Sequence, residues 1–87
     1  MHHDIKIHTD HFAPTATGMK RAELQYNDRD YQRGDTVTMR EVHAGRLTGA
    51  KVMVLITHII HHAEFPEGLP LGWCMFSHIP TDDSIAQ

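Results

Sequence analysis

Cysteine, aromatics and positive charge are all scarce in this chain of 87 residues. The lone cysteine, Cys74, rules out an internal disulfide and any paired-cysteine redox motif, and it fits a reducing, cytoplasmic setting. Aromatic residues make up 7% of the sequence, so no repeated stacking motif for nucleic acid is written into it. Eight Lys and Arg against eleven Asp and Glu give a formal net charge of −3, which argues against coating nucleic acid by bulk electrostatics. No glycine-rich phosphate loop or serine nucleophile elbow occurs. The start, MHHDIKIHTD, has no apolar signal core, and the longest apolar run, Val52 to Ile60, is too short for a membrane helix. No membrane association is expected.

Histidine, by contrast, is abundant. Nine imidazoles make the net charge sensitive to pH, since each titrates near 6.5 when unperturbed. The hydrophobic fraction of 40% and charged fraction of 22% are those of a globular domain. A chain this short holds one compact core, so a single domain over residues 1–80 is expected, with 81–87 as a flexible tail.

The chain reads as mainly β with minor α. Asp4–His8 alternates with Ile5 and Ile7 on one face. Thr9 or Asp10 can cap a short helix carrying Phe12 and Ala16, with Pro14 in its first turn and Gly18 at its end. Lys20–Tyr26 alternates again, Ala22, Leu24 and Tyr26 sharing the apolar face. NDRDYQRGD is dense in turn formers, and Thr36–Val42 resumes a strand. The segment 43–49 reads as a hairpin loop, Lys51–Ile60 as a central strand apolar on both faces, and Trp73–Ile79 as the last strand. Strands at this spacing favour a small barrel of about five or six strands, whose closure would remove exposed edges.

Polar chemistry concentrates in residues 17–35. Lys20, Arg21, Arg29 and Arg33 stand there with Glu23, Asp28, Asp30 and Asp35. Lys and Arg suit a phosphate or carbonyl, and a carboxylate beside them can accept from a base or move a proton. The competing reading is a salt-bridged turn in which Asp28 and Asp30 cap amides and pair with Arg29 and Arg33. Strict alternation would put Lys20 and Glu23 on opposite faces unless the strand is bulged. His58, His61 and His62, with His78 or Glu64, match no standard zinc spacing, so no metal and no cofactor are expected. Cys74 sits in an apolar strand as a core thiol, and Tyr31 and Phe65 read as loop anchors or, alternatively, as rings that stack on a base.

The run HDIKIHTDHFAPTATGMKRAELQYNDRDYQRGDTVTMREV, the GRLTG hairpin, the THII strand and the late EFPEGLPLGWCMFSHI segment resemble the ASCH superfamily of PUA-like barrels. The nearest branch comprises small bacterial and phage proteins with a domain of unknown function and an RNA-binding-like fold. The resemblance spans about residues 3–79 and is strongest at Gly18, Lys20 and Glu23 and over NDRDYQRGD. It implies a cleft for RNA or a modified nucleoside, lined by Gly18, Lys20 and Glu23, with Arg21, Asn27 and Arg29 near it. It also implies an alternative: some ASCH proteins are amidohydrolases that deacylate acetylated cytidine with a lysine, a threonine three residues later and a glutamate from a later strand. Here Lys20 is present, but Glu23 stands at the threonine position, so Lys20 and Glu23 would have to carry any catalysis. Gln25 stands where the branch usually has a basic residue. A third expectation is a phage or prophage module that binds a protein partner.

Overall fold

The computed structural model of the chain describes residues 1–81; the rest of the expected tail lies outside the described residues. Five strands and one short helix follow in the order β1 (His2–His8), α1 (Thr9–Ala16), β2 (Ala22–Tyr26), β3 (Thr36–His43), β4 (Arg46–His61) and β5 (Trp73–Pro80), with a 3-10 turn at His62–Glu64. They form one curled, half-barrel sheet in the order β1-β3-β4-β5-β2. β1 runs parallel to β3, which requires a crossover, and every other pair is antiparallel.

Alternation decides which side chains enter the curl. His3, Ile5 and Ile7 of β1 join Val37 and Met39 of β3, Val52, Val54 and Ile56 of β4, and Cys74 and Phe76 of β5 in one core. Tyr31 leaves the 27–35 loop and is wholly buried there, its ring 4.7 Å from that of His3 and 5.1 Å from that of Phe76. Its role is thus anchorage of the loop and not stacking on a ligand. The inward-facing Cys74 thiol is pushed up from its usual pKa by burial, which makes it inert.

Several boundaries differ from the sequence reading. The helix is capped by His8, whose Nδ1 accepts the Asp10 N–H at 3.1 Å, so neither Thr9 nor Asp10 is the cap. Pro14 is the sixth helical residue and not in the first turn, which removes a helical hydrogen bond and helps hold α1 to two turns. The expected 43–49 loop is a two-residue turn at Ala44-Gly45, both left-handed at φ +52° and +78°. β4 therefore starts at Arg46, and a register shift opposite Arg40–Val42 absorbs its extra residues near Gly49, at φ +94°.

Closure is the larger difference. β1 and β2 are the two edges of the sheet and are not paired, so the barrel stays open along a seam between them. The apolar face of β2 is also reversed. Glu23 and Gln25 pair with Phe76 and Cys74 and so face the interior, while Leu24 and Tyr26 point outward and are more than half exposed. An apolar–polar alternation fixes the two faces of a strand, but not which of them meets the core.

Candidate functional site

The site begins where α1 ends. Gly18 takes φ +78°, a left-handed turn that closes the helix, and its N–H donates to the Thr15 carbonyl at 3.1 Å. The Lys20 N–H donates to the Pro14 carbonyl at 2.9 Å, and the Arg21 Nε–H to the Gly18 carbonyl at 2.7 Å. This folded-back segment holds Lys20 outside the regular strand, which starts at Ala22. The interruption lets Lys20 and Glu23 converge: the Lys20 ammonium donates directly to the Glu23 carboxylate. Their side chains retain 27% and 12% exposure, so the pair is half-buried and less screened by water than an ion pair on the open surface.

Behind the pair lies His78. Its backbone N–H donates to the Arg21 carbonyl at 2.9 Å, and its ring enters the curl beside Phe76. The ring is 1% exposed and neither nitrogen has a hydrogen-bond partner. Burial holds its pKa below the usual imidazole value, Lys20 pushes the same way and Glu23 opposes. His78 is therefore a neutral imidazole near neutral pH. A recess of about 490 Å³ opens over this cluster, lined by His11, Lys20, Ala22, Glu23, Leu24 and Met75. It sets one donor and one acceptor side by side above apolar walls.

The other expected site residues separate. Arg21 flanks the recess, its Nε–H held by the Gly18 carbonyl. Asn27 and Arg29 lie past the far end of β2, separated from Lys20 by the length of the strand, about 13 Å at roughly 3.3 Å per residue. Asn27 Oδ1 accepts the Tyr31 N–H at 3.0 Å, which is a loop-building role. Arg29 stands 4.0 Å from Asp28 on the surface and lines a second recess of about 390 Å³ in the seam, with Asp4, Lys6 and Tyr26 among its neighbours. Asp35 organises the loop: it accepts from His3 Nε2 at 2.8 Å, from the Gln32 N–H at 3.0 Å and from the terminal ammonium at 2.9 Å. Burial alone would raise its pKa, but these donors bring it down to about 2.

The late histidines do not gather. His62 Nδ1 is 2.6 Å from the Leu69 carbonyl, Glu64 accepts the His61 N–H at 3.2 Å, and His78 turns inward. No group of three or more His, Cys, Asp or Glu side chains stands ready for a metal among the described residues. Sequence reasoning grouped His78 with these strand-end histidines and passed over His11. The signal was present, since Cys74, Phe76 and His78 recur at the two-residue period of β5.

Fold and site together define an open, five-stranded half-barrel with a lateral recess built on a lysine–glutamate pair. Residues 2–78 match the family described as Domain of unknown function (DUF3850), and the chain belongs to that family. It is also similar to an uncharacterized 12.9 kDa protein encoded in the GpA 3′ region of Escherichia phage P2, at 38% identity over 65 residues. That alignment covers 75% of this chain and 60% of the phage protein.

Proposed function

We propose that this protein binds RNA or a nucleotide-like ligand, with a nucleobase seated in the Lys20–Glu23 recess, in the manner of the ASCH-type barrels it resembles. The convergence of Lys20 and Glu23 over apolar walls carries the reading. A base edge that places a carbonyl beside an N–H matches a lysine donor next to a carboxylate acceptor. Ala22, Leu24 and Met75 supply the apolar contact that the faces of a base seek. The net charge of −3 limits the long-range share of such binding, so affinity must come from the recess.

Titration with short RNAs and DNAs across salt concentrations tests this. Binding at low salt that weakens in Lys20→Ala and Glu23→Gln is the expected result. No binding even at low salt refutes it, because phosphate contacts are strongest there.

The same contact favours a second reading, hydrolysis of an acylated nucleoside, in which Lys20 polarises the amide carbonyl and Glu23 activates water as general base. Product release from acylated cytidine that is lost in Glu23→Gln would establish it; activity retained in that variant would remove Glu23 from the chemistry.

A further inference from the structure

The outward-facing side of β2 and β5 extends the recess. Tyr26 and Trp73 are directly paired across the two strands, their rings 6.1 Å apart at 78°, and they remain 55% and 38% exposed. Tyr26 rests on Gly72: a Cβ there would lie 2.8 Å from the ring's Cε1. The glycine therefore seats one face of the ring while the ring stays more than half open to solvent. Leu24, which lines the Lys20–Glu23 recess, stands two residues before Tyr26 on this same outward side.

Positive charge stands at both ends of this surface. Lys20 and Arg21 precede β2. Past its other end, Lys6 and Arg29 line the seam recess together with Tyr26. Of the two carboxylates there, Asp4 is already held by Arg40, through bonds of 2.9–3.1 Å, which leaves Asp28 to face Arg29 at 4.0 Å. Lys6 has no acidic partner among the described residues.

From this arrangement we infer that the ligand is a single strand of nucleic acid, a few nucleotides long, lying along β2. One base enters the Lys20–Glu23 recess, the next stacks on Tyr26 and Trp73, and the backbone meets Arg21 at one end and Lys6 with Arg29 at the other. The inference rests on the recess reading and adds to it a direction, a stacking step and a minimum length. Apolar rings alone would serve a protein segment equally well; the cations at both ends favour a polyanion.

Trp73 is the only tryptophan of the chain, so its fluorescence reports on this face alone. The experiment titrates the full chain with uridine monophosphate and with uridine oligonucleotides of increasing length at low salt. It follows Trp73 quenching and, in parallel, backbone NMR shifts at Lys20 and Ala22. Oligonucleotides should quench Trp73 and bind more tightly than the mononucleotide, which shifts Lys20 and Ala22 without quenching. Tyr26→Ala should weaken the oligonucleotide about tenfold, the effect of losing one stacked base, and leave the mononucleotide shifts in place. Arg29→Ala, an exposed change that spares the fold, should lower the salt slope for the oligonucleotide by about one.

Length-independent affinity, or oligonucleotide binding by anisotropy with no quenching of Trp73, overturns the track while leaving the recess reading intact. Oligonucleotide binding that is weakened by Tyr26→Ala but unmoved by Lys20→Ala fails the recess reading and this inference with it.

Discussion

Asp35→Asn tests the claim that one buried carboxylate holds the 27–35 loop in place. The side chain is 7% exposed, and its pKa is held at about 2 against an ordinary 3.8. At about 1.36 kcal/mol per pH unit this difference is worth about 2.5 kcal/mol. The terminal ammonium is 77% exposed. Solvent screens that share, which leaves about 1.5–2 kcal/mol. For a domain of this size the loss should lower Tm by roughly 6–15 °C. Because the folded-state pKa is depressed, the stabilisation is complete above about pH 4 and disappears as pH falls toward 2. Urea unfolding followed by Trp73 fluorescence, at pH values from neutral down to 2, reads both quantities. The wild-type and variant curves should be well separated at pH 7 and converge in acid. A gap that stays constant at every pH would show that Asp35 acts through packing alone, and a gap under about 0.5 kcal/mol at pH 7 would refute the reasoning outright.

Tyr31→Ala should cost about 3–5 kcal/mol, measured by chemical denaturation, because it empties the space between His3 and Phe76. His78→Leu should be neutral or stabilising by about 1 kcal/mol at pH 7, since it removes two buried nitrogens that have no partner. Wild-type stability should also fall as pH drops below about 6.5, where the unfolded chain takes up a proton that the buried ring resists, and the Leu variant should lack that component. Ala44→Asn should stabilise by about 0.5–1 kcal/mol in a thermal melt, because φ +52° in a two-residue hairpin suits asparagine better than alanine.

Much of this fold was legible because its signals are local. The apolar runs of β1, β3, β4 and β5 sit within a few residues of where alternation puts them, since side-chain period and turn chemistry act over short distances. Pro14 and the Ala44-Gly45 turn were misread because helix length and hairpin register depend on what the neighbouring strand offers. Closure was misread for the same reason. Five strands imply a sheet, but whether its edges meet depends on shear and on the 27–35 loop, which drives Tyr31 into the core between His3 of β1 and Phe76 of β5. Within the site, Lys20 and Glu23 were found from residue type and proximity in sequence. His78 was not, because its importance comes from contact across β2 and β5, 55 residues or more from either partner.

The reversal of β2 links these observations to function. Had the strand turned Leu24 and Tyr26 inward, Glu23 would lie in solvent, and its pairing with Lys20 would contribute little. By turning them outward, the chain gives up burial of two large apolar groups, roughly 1.5–3 kcal/mol each if they were fully covered. It also brings Glu23 into the interior beside His78, whose nitrogens have no partner. The exposed apolar groups and the unpartnered His78 nitrogens both work against stability in the isolated domain. An edge strand that leaves Leu24 and Tyr26 exposed, beside strands β1, β3 and β4 whose core positions are apolar or hydrogen-bonded, is what the proposed ligand contact at that edge requires. Ligand-dependent stabilisation should then appear first along β2. Hydrogen exchange at Ala22, Leu24 and Tyr26, whose odd-numbered neighbours carry the bonds to β5, should slow most on binding. Protection that instead rises uniformly through β3 and β4 would mean that β2 is exposed for no functional reason.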